Sequence, residues 1–462
     1  MARRPSMSGG FSMRLADIAR AVGAREVESD IELTGVSTDT RSLRAGDLFV
    51  ALKGQNFDGH EYLAKAAAHG AVAALVTREV AGVALLQVIV DDTRLAFGRI
   101  ASLWRQRFSI PTLALTGSNG KTTVKEMLRC ILLAHTGSAN AVLATEGNLN
   151  NDIGVPQMLL RLRAQHRYAV FELGMNHLGE IDYLTRLVEP DVAMVIMTGT
   201  AHIGELGSRE AIAQAKGEIY AALRPDGIAV VNMHDRFGSH WRASLQGHRV
   251  ISFGLSAEDD VVGTLSPEAI SIARNGQKIT VRLQVPGEHN QTNALAAAAG
   301  ACALGIPLET IRLGLESFSG VPGRLRTFTG HNSATIIDDT YNANPDSVKA
   351  AIRVLAARKP PRYLVLGDMG ELGENAAAMH RDVGVFAREV GIEKMFALGD
   401  LSREMVAAFG AGAAVFNSPE DLVSALRPLL GSQSTVLVKG SRFMKMERVV
   451  EKLVPDYGGG HH

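Results

Sequence analysis

From end to end the chain alternates short apolar runs with helix-length, alanine-rich amphipathic segments, and that alternation restricts it to an α/β fold. A parallel strand covered by helices on both faces is written as a continuous apolar run. Such runs recur at Thr112–Thr116, Tyr168–Leu173, Val192–Met197 and Ile228–Asn232, then at Thr335–Asp339, Tyr363–Gly367, Met395–Gly399 and Val436–Lys439. Helical spacing fills the gaps, notably over 208–223 and 290–304. No short-period repeat and no low-complexity block interrupts the pattern.

A chain of 462 residues, at roughly 150 residues per domain, holds three domains, each able to bury a core. The first spans 1–109: strand-like runs at Asp47–Leu52, Val72–Val76 and Gln87–Val90, a helix near Tyr62–His69, and polar loops at 37–41 and 54–60. Pro111 opens a new strand, so a central domain over 110–323 follows, with a mostly parallel sheet closing at the helix 290–304. A third domain over 324–462 repeats strand–helix units in the manner of a smaller nucleotide fold. The ends, 1–12 and 458–462, are expected to be flexible.

Lys plus Arg and Asp plus Glu number 48 each, which provides no general attraction for nucleic acid or an anionic membrane. Arg3 and Arg4 are followed by Pro5–Gly10 where a secretory signal needs an apolar centre. No run approaches the ~18 apolar residues of a membrane span, so a cytoplasmic protein is expected. Cys130 and Cys302 lie in apolar helical stretches and are too few for a disulfide framework, which suits reduced thiols.

The sharpest local signal is Thr116-Gly117-Ser118-Asn119-Gly120-Lys121-Thr122-Thr123, between an apolar strand and a helix running to Leu133. Glycines let backbone N–H groups curl around a phosphate, and the helix N-terminus adds partial positive charge. Lys121 then reaches the β- and γ-phosphates, and a threonine hydroxyl can ligate Mg²⁺. The strict G-x-x-x-x-G-K-[ST] pattern would need glycine at Leu115, so this is a shorter G-x-x-G-K-T-T form. An ordinary glycine-rich turn with a solvated lysine is the alternative.

Ligands of open α/β sheets gather at the carboxyl ends of strands. Glu172 stands there, and a lone carboxylate can hold Mg²⁺ or simply cap a turn. His202 follows the strand Val192–Met197, and Lys216 lies in the 208–223 helix; spacing alone leaves both as ordinary structural residues. Two asparagine-rich stretches, 147–152 and 287–293, carry Asn150, Asn290 and Asn293. Asn290 could be a plain N-cap, while clustered amides also suit a base edge or phosphate oxygen.

The ordered set Thr116–Thr123, Glu146–Asn151, Phe171–Asn176, His202–Gly204 and His289–Ala294 strongly resembles the Mur ligases of cell-wall synthesis. Asp338–Pro345, Leu366–Gly373 and Val438–Arg442 narrow the resemblance to the members that add D-alanyl-D-alanine, and 37–41 and 46–52 agree. The likeness runs from about Met13 to Lys452. The diaminopimelate- or lysine-adding relative carries an Asp-Asn-Pro-Arg signature that is missing here; Asn344-Pro345-Asp346 is only superficially similar.

The resemblance implies a small α/β N-terminal domain for the uridine nucleotide, a central P-loop-type ATPase and a C-terminal Rossmann-like domain closing over the site. It implies an ATP- and Mg²⁺-dependent ligase, monomeric, joining D-alanyl-D-alanine to UDP-N-acetylmuramoyl-tripeptide through an acyl phosphate. Gly117, Ser118, Asn119, Gly120, Lys121, Thr122 and Thr123 would bind the phosphates, Lys121 gripping the γ-phosphate. Thr122 and Glu172 would hold Mg²⁺, with His202 and a carbamylated Lys216 serving a second ion. Asn150 would lie near the transferred phosphate. Asn290 and Asn293 would face the adenine side, Arg324 the phosphates and Asp339 the ribose. Ser37, Asp39 and Arg41 would meet the uridine end; Asn342, Asn344, Lys439, Ser441 and Arg442 are candidates for the dipeptide.

Two other readings stand beside this one. A sister ligase of the superfamily, such as a folylpolyglutamate-type enzyme, would take another acceptor. A nucleotide-gated P-loop switch would release phosphate with no acceptor amine.

Overall fold

The structure, a computed structural model, describes residues 10–24, 29–455 and 457. Most of the two ends expected to be flexible, 1–9 and 458–462, lies outside the described residues. Phe11 is 5% exposed, its ring 4.5 Å from that of Trp104, because an aromatic beside the core gains more from burial than from solvation.

The central sheet has nine strands, in the order 277–281, 270–274, 261–265, 249–254, 228–232, 192–195, 112–116, 168–172 and 142–144. Seven neighbouring strands, from 261–265 to 142–144 along this order, run parallel. Chain order reverses beside Thr112–Thr116, which lies between Val192–Val195 and Tyr168–Glu172. That switch opens a crevice at the strands' carboxyl ends, where the glycine-rich loop sits.

The outer strands Val261–Leu265, Ile270–Arg274 and Gln277–Val281 were not foreseen; the last two form an antiparallel hairpin about the left-handed Asn275-Gly276 turn. Their alternating exposed residues interrupt the apolar runs that mark covered strands. A further helix, Leu308–Ser317, follows Glu288–Ala303, and both pack on the loop helix Lys121–Thr136. Alanines 294 and 296–299 are fully buried, so the Glu288–Ala303 backbone lies close against the sheet.

The C-terminal sheet has six strands in the order 326–329, 335–339, 435–439, 362–367, 394–398 and 413–416, parallel except at Arg326–Thr329. Its second switch point brings Asp339, Lys439 and Asp368 to one edge. The N-terminal sheet is four parallel strands, 35–37, 47–50, 73–76 and 86–89. The helix Thr93–Arg105, capped by Asp92, ties it to the centre: Phe97, Ile100 and Trp104 share one apolar cluster with Leu159, Ile181 and Leu184. Cys302 is buried and Cys130 half-buried, both free.

Candidate active site

Strand ends from the central and C-terminal sheets face one another across a cleft of about 1180 Å³. On the central side the glycine-rich loop turns sharply into its helix. Gly120 caps that helix at φ 82°, in the left-handed region, and a Cβ there would stand 2.4 Å from Asn293 Oδ1. Glycine is therefore required twice over. The Lys121 ammonium donates to the Gly117 carbonyl at 2.8 Å. Burial lowers its pKa, opposed by the nearby Glu172 carboxylate.

Glu172 is the hub of this side. It is 2% exposed. The Thr122 hydroxyl donates to Oε2 at 2.9 Å and Asn150 Nδ2 to Oε1 at 2.8 Å. Arg324 Nη2 donates to Thr122 Oγ1 at 2.9 Å, its guanidinium lying 4.3 Å from the centre of the Tyr341 ring. Two buried polar atoms lining the cleft, Ser118 Oγ and Arg324 Nε, have no protein partner. A buried donor without a partner is costly, and a triphosphate oxygen suits both.

Lys216 is 1% exposed, and burial holds its pKa well below the usual lysine range, with Lys121 pushing the same way. A neutral buried amine is the form that adds CO₂. His202 sits in the left-handed region at φ 65°, its Nδ1 3.0 Å from Glu371 Oε2. Among the described residues no three His, Cys, Asp or Glu side chains gather into a metal site. The donors that are present, a threonine hydroxyl and a carboxylate beside a phosphate loop, fit Mg²⁺, which keeps waters and phosphate oxygens in its shell.

The C-terminal side supplies Asp339 and Lys439, an ion pair at 2.7 Å. Burial raises the Asp339 pKa and Lys439 opposes the rise. Lys439 Nζ also donates to the Asn342 carbonyl at 2.8 Å. The Ser441 hydroxyl accepts from Gly370 N at 2.8 Å and donates to the Ala343 carbonyl at 3.1 Å. Arg442 is exposed and pairs with Glu447.

Beside Arg324–Thr122 and His202–Glu371, further hydrogen bonds join the two sides. Asn344, whose Oδ1 caps the helix Pro345–Ala356, donates its amide to Asn119 Oδ1 at 2.8 Å. Asp346 Oδ2 accepts from Thr200 N and Thr200 Oγ1, both at 2.9 Å. Gly204 N donates to the Glu371 carbonyl at 3.0 Å. Thr200, Tyr341, Asp346 and Glu371 were all missed from sequence. Their signal, short polar loops after strands, exists, but nothing local says which loops meet.

The phosphate loop, Asn150, Glu172, His202, Asn290, Asn293, Arg324, Asp339, Asn342, Asn344, Lys439, Ser441 and Arg442 converge on this cleft. Asn290 Nδ2 is held by the Pro286 carbonyl at 2.7 Å, and Asn293 faces Asn290 Oδ1 at 3.5 Å. Ser37, Asp39 and Arg41 do not line it. Arg41 is forked onto the Asp39 carboxylate at 2.6–3.0 Å, which lowers the Asp39 pKa, and Ser37 Oγ donates to the Asp39 carbonyl. Within the same turn, the Thr38 hydroxyl accepts from Gln157 of the helix Gly154–Leu159 at 3.0 Å.

The Mur ligase family catalytic domain matches residues 32–105, the Mur ligase middle domain residues 115–301 and the glutamate ligase domain residues 323–442. The chain is 40% identical over 453 residues to the UDP-N-acetylmuramoyl-tripeptide–D-alanyl-D-alanine ligase of Haemophilus influenzae, covering 96% of this chain and 98% of that one. Its fold matches crystalline MurF from Acinetobacter baumannii with a TM-score of 0.88 at 38% identity, over 95% and 98% of the two chains. MurF ligase from Thermotoga maritima, solved with ADP, matches with a TM-score of 0.80 at 26% identity, over 90% and 96%.

Proposed function

This chain belongs to the Mur ligase family, and from that premise we propose how its residues divide the work. It is an ATP- and Mg²⁺-dependent ligase that joins D-alanyl-D-alanine to UDP-N-acetylmuramoyl-tripeptide, making the pentapeptide precursor of peptidoglycan. The observation that carries the division of roles is the chain Arg324–Thr122–Glu172–Asn150 around the phosphate loop, faced by Asp339 and Lys439.

A carboxylate is a poor electrophile. The tripeptide's terminal carboxylate therefore takes the γ-phosphoryl group, releasing ADP, and the dipeptide amine then displaces phosphate through a tetrahedral adduct. Lys121 and Arg324 offset negative charge on the group in transfer, and Gly117–Thr123 hold the phosphates with backbone N–H groups. Thr122 and Glu172 hold Mg²⁺, which when bound neutralises phosphate charge; His202 and carbamylated Lys216 serve a second ion. Asn150 orients Glu172 beside the transferred group. Asn290 and Asn293 border the adenine, and Asp339 the ribose. Asn342, Asn344, Lys439, Ser441 and Arg442 border the acceptor dipeptide.

Residues 1–109 form the uridine-nucleotide domain, 110–323 the ATPase and 324–462 the closing domain. The Ser37, Asp39 and Arg41 turn takes the uridine end, outside the cleft, as the length of the substrate demands. The protein works as a monomer, and in the cytoplasm. Among the described residues no helix is long and apolar enough to cross a membrane.

Phosphate release is the test, with ATP, Mg²⁺ and UDP-N-acetylmuramoyl-tripeptide, with and without D-alanyl-D-alanine, following the product by mass. One amide per phosphate, only with both substrates, is expected. Release indifferent to the dipeptide would instead identify a nucleotide-gated switch, and release with another acceptor a sister ligase.

A further inference from the structure

One buried cation in the phosphate-loop helix has no part in the reaction as described. Lys125 lies one turn beyond Lys121 and is 2% exposed. Its ammonium donates to the Thr145 carbonyl at 2.6 Å and to Glu126, which Arg129 also holds at 2.7 Å. Thr145 directly follows the strand Val142–Ala144 and is itself 1% exposed. Its hydroxyl accepts the backbone N–H of Glu172 at 2.9 Å. It also begins the loop that delivers Asn150, whose amide holds the other end of Glu172, the carboxylate, at 2.8 Å.

We propose that Lys125 is a positioning residue: acting through Thr145, it fixes the backbone and carboxylate of Glu172 against Thr122. A carboxylate that holds Mg²⁺ through one oxygen must be oriented from behind, and such outer partners commonly matter 10- to 100-fold. The helix bearing Thr122 and the strand bearing Glu172 are separate elements. The Lys125–Thr145 bond ties the loop helix to the strand end beside Glu172. A surface lysine could not serve, because water would compete for the carbonyl; burial makes the bond persistent.

The inference rests on reading Thr122 and Glu172 as magnesium residues, and its test separates the two. Calorimetric titration of ADP with and without Mg²⁺ measures the gain in affinity the ion confers. In Lys125→Met and in Thr145→Val that gain should fall by about 10-fold or more, with the Mg²⁺-free affinity unchanged and Thr145→Ser restoring the gain. The double variant should be no worse than either single one, because both cut the same chain of contacts.

A full magnesium gain in variants that still melt cooperatively would overturn the proposal. An equal loss with and without Mg²⁺ would also overturn it, by showing that Lys125 meets the phosphates directly. Should Lys125→Met fail to fold, Lys125→Leu takes its place with the same loss expected, and Thr145→Val against Thr145→Ser tests the threonine step. A wild-type chain with no magnesium gain would overturn the metal assignment itself.

Discussion

Lys121 and His289 show how one environment serves two ends. Both are pushed toward neutrality by burial, but only Lys121 stands at the phosphate loop. Replacing Lys121 by alanine should cut kcat by about 100-fold or more while leaving the melting temperature within a few degrees. Retained turnover in the coupled assay would remove the lysine from the reaction. His289 has its pKa lowered to about 4 by desolvation and by Lys439. The unfolded chain binds this proton near pH 6.5 and the folded chain does not until about pH 4. Stability therefore rises with pH across that window and is lost on acidification, by about 3 kcal/mol at most for this group. Urea unfolding at pH 5 and pH 7 should show His289→Gln losing less stability on acidification than wild type; an equal loss would mean that the histidine is already protonated when folded.

Among the elements, the strand–loop–helix unit over Thr112–Thr136 was legible because everything it needs is local: an apolar strand, a glycine at 120 where the backbone must turn left-handed, and a helix that begins at Lys121. The unit makes its own prediction. Gly120→Ala meets a left-handed backbone costing about 1–2 kcal/mol and a Cβ 2.4 Å from Asn293 Oδ1. ADP affinity should drop at least about tenfold, and adding Asn293→Ala should recover only part, since the backbone strain remains. Full recovery would show that the side-chain clash alone mattered. The helix Pro345–Ala356 is equally local in origin, with Asn344 and Ser347 forming a capping box and proline at its first turn. What no local rule reveals is that the Asn344 amide reaches Asn119.

Across the whole molecule, the cleft exists because two sheets present their carboxyl ends to each other, and the seam is held by few bonds. Asp346 is one charged link, a carboxylate accepting twice from Thr200 and facing Arg209 at 3.6 Å. Removing a charged acceptor of this kind costs about 1.5 kcal/mol, enough to depopulate the closed arrangement roughly tenfold. Water would then reach the activated acyl group. Asp346→Ala should release more than one phosphate per amide formed, with the fold intact. A ratio that stays at one would mean that the seam holds without Asp346.

The sequence by itself determined the α/β class, the parallel runs, the phosphate loop and the residue types gathered at strand ends, because each of these is written in contiguous residues as apolar period, glycine placement or helix capping. Only the tertiary structure decided that the Ser37–Arg41 turn stays outside the cleft while Thr200, Tyr341, Asp346 and Glu371 enter it. It alone brought Arg324 to Thr122 across 202 residues and made Lys125 and Lys216 buried rather than solvated. The physical reason is the same throughout: a side chain's role depends on which distant backbone excludes water from it and which partner replaces that water, and neither is encoded in its neighbours along the chain.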